Sequence, residues 1–242
     1  MRKVFIAFCS LITFTMAASG SGPYIKVDFT KSGLTIVSDE LTEGEYDDIS
    51  LRQQKALYPA FFAGYEQSFS RVFSANAGVG ILFSGYDYLT EGMQTVNGST
   101  TLTYRYTGGN TATYLSIPVN VKVLLPIKAG GLYVAGGPSF DILLVSKGYA
   151  KGIENDQTVT DRKGIDTKDF YVNSYSFALS FRVGGEIAIG KHNLFLESGY
   201  DFGFTESMSG GSVNGHEYTF KNGRLTFISL GFRINATRAG TD

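Results

Sequence analysis

Residues 114–145 read YLSIPVNVKVLLPIKAGGLYVAGGPSFDILLV, and their period decides the fold class. Leu115, Ile117, Val119, Val121 and Val123 fall on one face; Tyr114, Ser116, Pro118, Asn120 and Lys122 fall on the other. That is the two-residue repeat of a strand, not the 3.6-residue repeat of a helix. After a Pro/Gly turn from Pro126 to Gly131 the alternation resumes, with Leu132, Val134, Phe140, Ile142 and Leu144 opposite Tyr133, Ala135, Ser139 and Asp141. The stretch is a hairpin with one apolar and one mixed-polar face. The apolar face packs on a protein core or meets lipid.

Working outward, six more segments carry the same alternation: 23–37, 58–69, 73–86, 174–190, 194–205 and 218–234. In the last, Ile228, Leu230, Phe232 and Ile234 oppose Phe227, Ser229, Gly231 and Arg233. Polar stretches at 38–57, 87–112, 147–171 and 206–217 read as long loops, separated by tight turns near 70–72, 126–131 and 190–193. Long and short connections therefore alternate along eight strands. Short turns at one end, longer loops at the other and an even strand number are the pattern of a transmembrane barrel. The expected fold is an all-β, eight-stranded antiparallel up-and-down transmembrane β-barrel over residues 21–234, with a polar C-terminal tail at 235–242.

The polarity of the two faces separates lipid from water. Facing inward in this reading are Glu66, Lys122, Asp141, Arg182, Glu186, Glu197, Asp201 and Arg233. Buried charges are costly unless they pair, so these eight are expected to form a salt-bridge network that plugs the lumen. The lipid-facing set is expected to include Leu115, Ile117, Val119, Val121, Val123, Phe140, Ile142, Leu144, Ile228, Leu230 and Phe232. A soluble lipocalin-like barrel, the alternative, would have an apolar lumen and a polar exterior. Aromatics cluster at strand ends as girdles do: Tyr86, Tyr88, Tyr114, Tyr171, Tyr175, Phe202 and Phe204 at one end, and Phe69, Phe73, Tyr133, Phe195 and Phe232 at the other. Pro118 and Pro138 each remove a ladder hydrogen bond, which predicts local bulges.

Export is the matching expectation. Arg2 and Lys3 precede an apolar run from Val4 to Phe14, followed by Ala17, Ala18, Ser19 and Gly20. This is the order of a cleaved signal peptide over residues 1–20, and the run is too short to span a bilayer. Cys9, the only cysteine, would leave with it, which removes disulfides, thiolate catalysis and Cys-based metal sites. Without Arg2 and Lys3, 19 basic residues stand against 22 acidic ones, and no basic surface for nucleic acid is implied.

The run YLSIPVNVKVLLP followed by GLYVAGGPSFDILL resembles the signature hairpin of the PorT-like outer-membrane β-barrel family of Bacteroidetes, and the later GGEIAIG and SLGFRI segments are similar to it. The resemblance covers residues 23–234. It implies an eight-stranded barrel in the bacterial outer membrane; PorT proper takes part in type IX secretion and gliding-related export. The chain departs from the common barrel ending, because Phe232 is followed by a polar extension rather than closing on an aromatic.

Little points to catalysis. Residues 185–192 (GEIAIGKH) resemble the phosphate-binding G-x-x-x-x-G-K-[ST], but His192 replaces the hydroxyl residue and the glycines bracket a strand. His192 and His216, the only histidines, fall at opposite barrel ends, so they cannot share a metal. A rim hydrolase acting on lipid, with His216 and one of Ser207, Ser209 or Ser212, is the remaining enzymatic alternative. The expectation is a non-enzymatic protein with no catalytic residues, metal, cofactor, nucleotide or nucleic-acid partner. Its expected partners are outer-membrane lipid and other envelope or secretion proteins reached through the long loops.

Overall fold

The computed structural model describes residues 21–37, 57–96, 100–127, 130–154, 157–166, 173–213 and 216–235, with side chains described outside 33–37, 86–106, 159–160, 207–220 and 222. The proposed signal peptide and residues 236–242 of the tail lie outside the described residues.

Ten antiparallel strands form: β1 (Gly22–Val37), β2 (Tyr58–Ser68), β3 (Phe73–Val96), β4 (Thr100–Ile127), β5 (Gly130–Glu154), β6 (Gln157–Asp166), β7 (Tyr175–Ile189), β8 (His192–Gly203), β9 (Glu206–Val213) and β10 (His216–Ile234). Eight of them make the ring, in the order β1-β2-β3-β4-β5-β7-β8-β10, and β10 pairs back onto β1 to close it. Closure removes the free sheet edges that an open sheet would expose. β6 pairs β5 and β9 pairs β10, both outside the ring.

Three stretches expected as loops are therefore largely strand over their described residues. Residues 87–96 and 100–112 are the continuation of β3 and β4, paired as far as Val96 with Thr100. Within 147–171, β6 forms; within 206–217, β9 forms. Thr and Tyr dominate 100–107, and both suit a pleated surface; Asn97-Gly98 is a hairpin signal between them. Polarity suggests loop, but β-favouring residues can pair in extended form without an apolar stripe. The wall is consequently uneven, with β2 at 11 residues beside β3 at 24.

The expected bulges at Pro118 and Pro138 are absent. The β4–β5 ladder lapses between Pro118↔Ser139 and Val121↔Gly136, then resumes in the same register. Pro138 pairs Leu179 on β7 without a shift. A missing N–H interrupts a ladder, but intact pairing on both flanks holds the spacing. Within the ring, shifts fall instead at Phe227 on β10 and Leu144 on β5, where one extra residue is inserted. The first corrects the phase of the last strand: Phe227 points outward, 65% exposed, as does Ile228.

Inside the ring, aromatic rings lie against glycines of nearby strands. A Cβ on Gly64 or Gly78 would stand 2.6 or 2.5 Å from the Tyr24 hydroxyl, and one on Gly231 would overlap the Phe195 ring. Phe195 is buried between this glycine and Tyr24, whose ring it meets edge-on at 6.3 Å. Gly231→Ala is expected to destabilise the fold by about 1–3 kcal/mol through overpacking, read as a lower urea midpoint by far-UV circular dichroism in lipid vesicles. Adding Phe195→Leu should recover part of the loss. An unchanged midpoint for Gly231→Ala would mean that the ring is not seated on the glycine.

Candidate functional site

Alternation sends every second residue of each ring strand inward, and the inward set is polar. All eight charged residues read from the sequence are there: Glu66 on β2, Lys122 on β4, Asp141 on β5, Arg182 and Glu186 on β7, Glu197 and Asp201 on β8, and Arg233 on β10. Three further charges join them. Lys26 and Asp28 come from β1, and Arg224 from β10. Lys26 and Asp28 alternate with Ile25, Val27 and Phe29, a signal that would have found them. Arg224 lies in a polar part of β10 on the far side of the Phe227 bulge, which hides its phase.

The charges sort into three groups. At the short-turn end, Lys122 Nζ contacts Glu66 at 3.2 Å and Glu186 at 2.5 Å, while Arg233 contacts both the same carboxylates. Two cations and two anions from β2, β4, β7 and β10, every second strand of the ring, thus close a four-membered cycle. Asn193 donates to Glu186 at 3.0 Å and Ser74 to Glu66 at 3.0 Å. In the second group, Lys26 bridges Asp28 at 3.2 Å and Glu197 at 2.8 Å, and the Tyr133 hydroxyl donates to Glu197 at 2.9 Å. In the third, Arg224 joins Asp141 at 2.5 Å to Asp201 at 3.2 Å, and Arg182 reaches Asp201 at 2.6 Å. Each carboxylate has a cation and most have a further donor, the condition under which buried charge is tolerated. Lys122 also sits 4.3 Å from the centre of the Tyr133 ring, a cation–π contact.

Towards the other end an apolar layer crosses the lumen. Ala60, Leu82, Ala112, Tyr114 and Leu143 are buried together, with Phe62 packed against them. Beyond it lie hydroxyl and amide contacts, Ser146 to Asn110 at 2.8 Å and Ser32 with Ser84 at 2.6 Å. Deeper in the lumen the spaces among the charged groups are about 30 and 20 Å³, on the scale of a single water, while a space of about 190 Å³ lies beside Glu66, Lys122, Glu186 and Arg233 at the short-turn end.

Tyr114, Tyr133 and Phe195, expected as girdle residues, are instead buried in this interior. Their even or odd position on each strand puts them in phase with Ser116, Ala135 and Glu197, and phase overrides position along the strand. Phe69, Phe73, Tyr175, Phe202 and Phe204 are exposed on the outside, whereas the side chains of Tyr86, Tyr88 and Tyr171 lie outside those described. Phe140 and Tyr175 stack at 6.2 Å there.

Of the positions read as lipid-facing, Val119, Val121, Val123, Phe140, Leu144, Ile228 and Leu230 are exposed; Leu115, Ile117, Ile142 and Phe232 are outward and partly covered by neighbours. On β4 the outward apolar run goes from Leu115 to Leu125. Ten steps of about 3.4 Å, foreshortened by a strand tilt of about 40°, give about 26 Å, the height of an outer-membrane hydrocarbon band.

The model of the family described as "Outer membrane protein beta-barrel domain" matches residues 30–209. The chain belongs to that family. An outer-membrane barrel has its polar side in and its apolar side out, which is the arrangement found, and the soluble lipocalin-like alternative is overturned. Solved structures similar to this outer-membrane barrel include Neisserial surface protein A (13% identity, 90% of this chain and 99% of that one, TM-score 0.34), AlkL in DMPC bilayers (12%, 93% and 95%, 0.39) and OprG from Pseudomonas aeruginosa (10%, 91% and 96%, 0.37). No curated protein matches in sequence.

The remaining sequence candidates separate. In the barrel, Gly185–Ile189 belong to β7, Gly190 takes φ +61° in the turn, and β8 starts at His192. A strand follows, not the helix a phosphate loop requires. His192 packs on Phe232 at this end, 5.3 Å between rings. His216 starts β10 at the tip of the β9–β10 hairpin, opposite Val213, while Ser212 pairs Glu217 and Ser209 pairs Thr219.

Proposed function

We propose that this barrel is a closed, non-catalytic scaffold of the outer membrane, holding the extended β3–β4, β5–β6 and β9–β10 hairpins outside the cell for partners in envelope biogenesis or secretion, in the manner of a PorT-like protein. The observation that carries this reading is the double closure of the lumen. A paired-charge network fills the short-turn half, and the Leu82–Tyr114–Leu143 layer crosses the other. Eight strands leave an interior that side chains can fill, so neither water nor a hydrophilic solute has a continuous path. Short turns of such barrels face the periplasm and longer connections the exterior. Function then rests on the projecting hairpins, since binding residues concentrate on connections held by a rigid frame.

Planar-bilayer recording tests the closed state. The refolded protein is expected to give no steady conductance, and Leu82→Ala combined with Leu143→Ala should raise leak events without opening a stable channel, because the charge network remains. A stable, ohmic channel in the unaltered protein would overturn the proposal. Crosslinking from cysteines placed in the β5–β6 hairpin of intact cells tests the scaffold role: a discrete envelope-protein adduct is expected, and none from any of the three hairpins would remove it.

A further inference from the structure

The outward face of β5 changes character at one point. Leu132, Val134, Phe140, Leu144 and Val145 are exposed and apolar; one pleat repeat further on come Lys147, Tyr149 and Lys151, also exposed. A pleat repeat is about 7 Å, so Lys147 stands at the polar edge of the hydrocarbon band on the side of the projecting hairpins. The opposite face of the same segment, Ser146, Gly148 and Gly152, is buried, which fixes the lysines as outward. β6 adds to this face. Tyr149 pairs with Lys163, Lys147 with Asp166 and Lys151 with Asp161, and residues paired across an antiparallel ladder share a face.

From this placement we infer that Lys147, Lys151 and Lys163, arranged around Tyr149, form a binding site for the phosphate groups of the outer-leaflet glycolipid. A lysine two residues beyond the last apolar position reaches the headgroup level while its methylenes lie against the acyl region. An interfacial tyrosine belongs at the same depth. Lys163 faces Tyr149 rather than a carboxylate, so it is the cation without an acid directly opposite. The two that do face Asp161 and Asp166 are exposed, and exposed ion pairs are weak. A phosphate dianion offers a stronger charge-assisted partner. The occupant is a membrane lipid rather than a soluble anion because the site is continuous with the acyl-facing band below it. Two-stranded pairing of β5 with β6 holds the three cations in fixed register, which a free loop would not do.

The test uses the full barrel refolded in phosphatidylcholine vesicles doped with bisphosphorylated lipid A, and the Lys147→Ala, Lys151→Ala, Lys163→Ala triple variant beside it. Heat-modifiable gel mobility confirms that both are folded. Lipid A association, read by fluorescence transfer from a labelled lipid, is expected to weaken about tenfold or more in the triple variant, the loss of one or two charge-assisted contacts, and to fall with added salt. Lys31→Ala, an outward lysine on β1 across the ring, should leave it unchanged. Three outcomes would overturn the assignment: equal binding by the triple variant, equal loss in Lys31→Ala, or equal association with dephosphorylated lipid A. Full competition by inorganic phosphate at the lipid's own concentration would identify a general anion site and overturn the lipid assignment.

Discussion

Arg224→Met is expected to lower the unfolding free energy by about 3–5 kcal/mol, the cost of stranding buried carboxylates without their cation. Arg224 is the one cation within reach of Asp141 among the described residues, and Asp141 is 1% exposed. Its other contact is the Ser139 hydroxyl at 3.4 Å. Asp201 loses less, because Arg182 still reaches it at 2.6 Å. The double variant Arg224→Met with Asp141→Leu should therefore recover most of the loss, since removing both partners of a buried pair is often close to neutral. With no tryptophan in the chain, the measurement is urea unfolding followed by far-UV circular dichroism and gel mobility. A cost below about 1 kcal/mol, the range of solvent-exposed pairs, would show that the lumen is wet and the network loosely held.

Val121→Arg tests the outside as Arg224→Met tests the inside. Val121 is 45% exposed, near the middle of the β4 apolar run, between Ala75 on β3 and Gly136 on β5. Arginine there should cost about 2–4 kcal/mol in a bilayer, and the same change at Leu125, two pleats nearer the short turn, about 0–1. In detergent micelles, which deform around a charge, the gap between the two positions should narrow. Equal costs at both depths would mean that the apolar run does not traverse the bilayer along this strand.

How much of this was legible in the sequence depends on whether a position is read through phase or through composition. Phase serves well wherever one face is buried, because a slip of one residue turns every side chain over. It placed Lys122, Arg182 and Asp201 on the inner wall from alternation alone. It fails where an extra residue is inserted: nothing in FISLGF marks Phe227 as the bulged position, and Arg224 is lost behind it. Composition misleads at 87–112, where a polar segment reads as a loop although its threonines and tyrosines favour extended pairing. Girdle assignments failed for Tyr133 and Phe195 for a third reason. An aromatic near a strand end faces whichever side its parity dictates, and theirs places them over Gly184 and Gly231. The closing of charges into a cycle of Lys122, Glu66, Arg233 and Glu186 needs strand tilt and stagger, which no local pattern contains.

The seam between β1 and β10 bears on how the molecule is made. Ser229 and Asp28, 201 positions apart, share a hydrogen bond; Lys26 and Glu197 are 171 apart, and Arg233 and Glu66 are 167 apart. Every other strand pairing of the ring joins strands that follow closely along the chain, but these contacts wait for the far end to arrive, the slow, entropically costly kind of contact. Until then Lys26, Asp28 and Glu66 lack partners that only the late strands supply. The interior charges are thus a latch: before closure Lys26 has Asp28, and Glu66 has Lys122 and Ser74, and shutting the ring, which takes these charges out of water, supplies Glu197, Ser229 and Arg233 in the same step. Assembly should accordingly have no stable halfway form, and a chain truncated before β10 should stay open and degradable rather than settle into a smaller barrel.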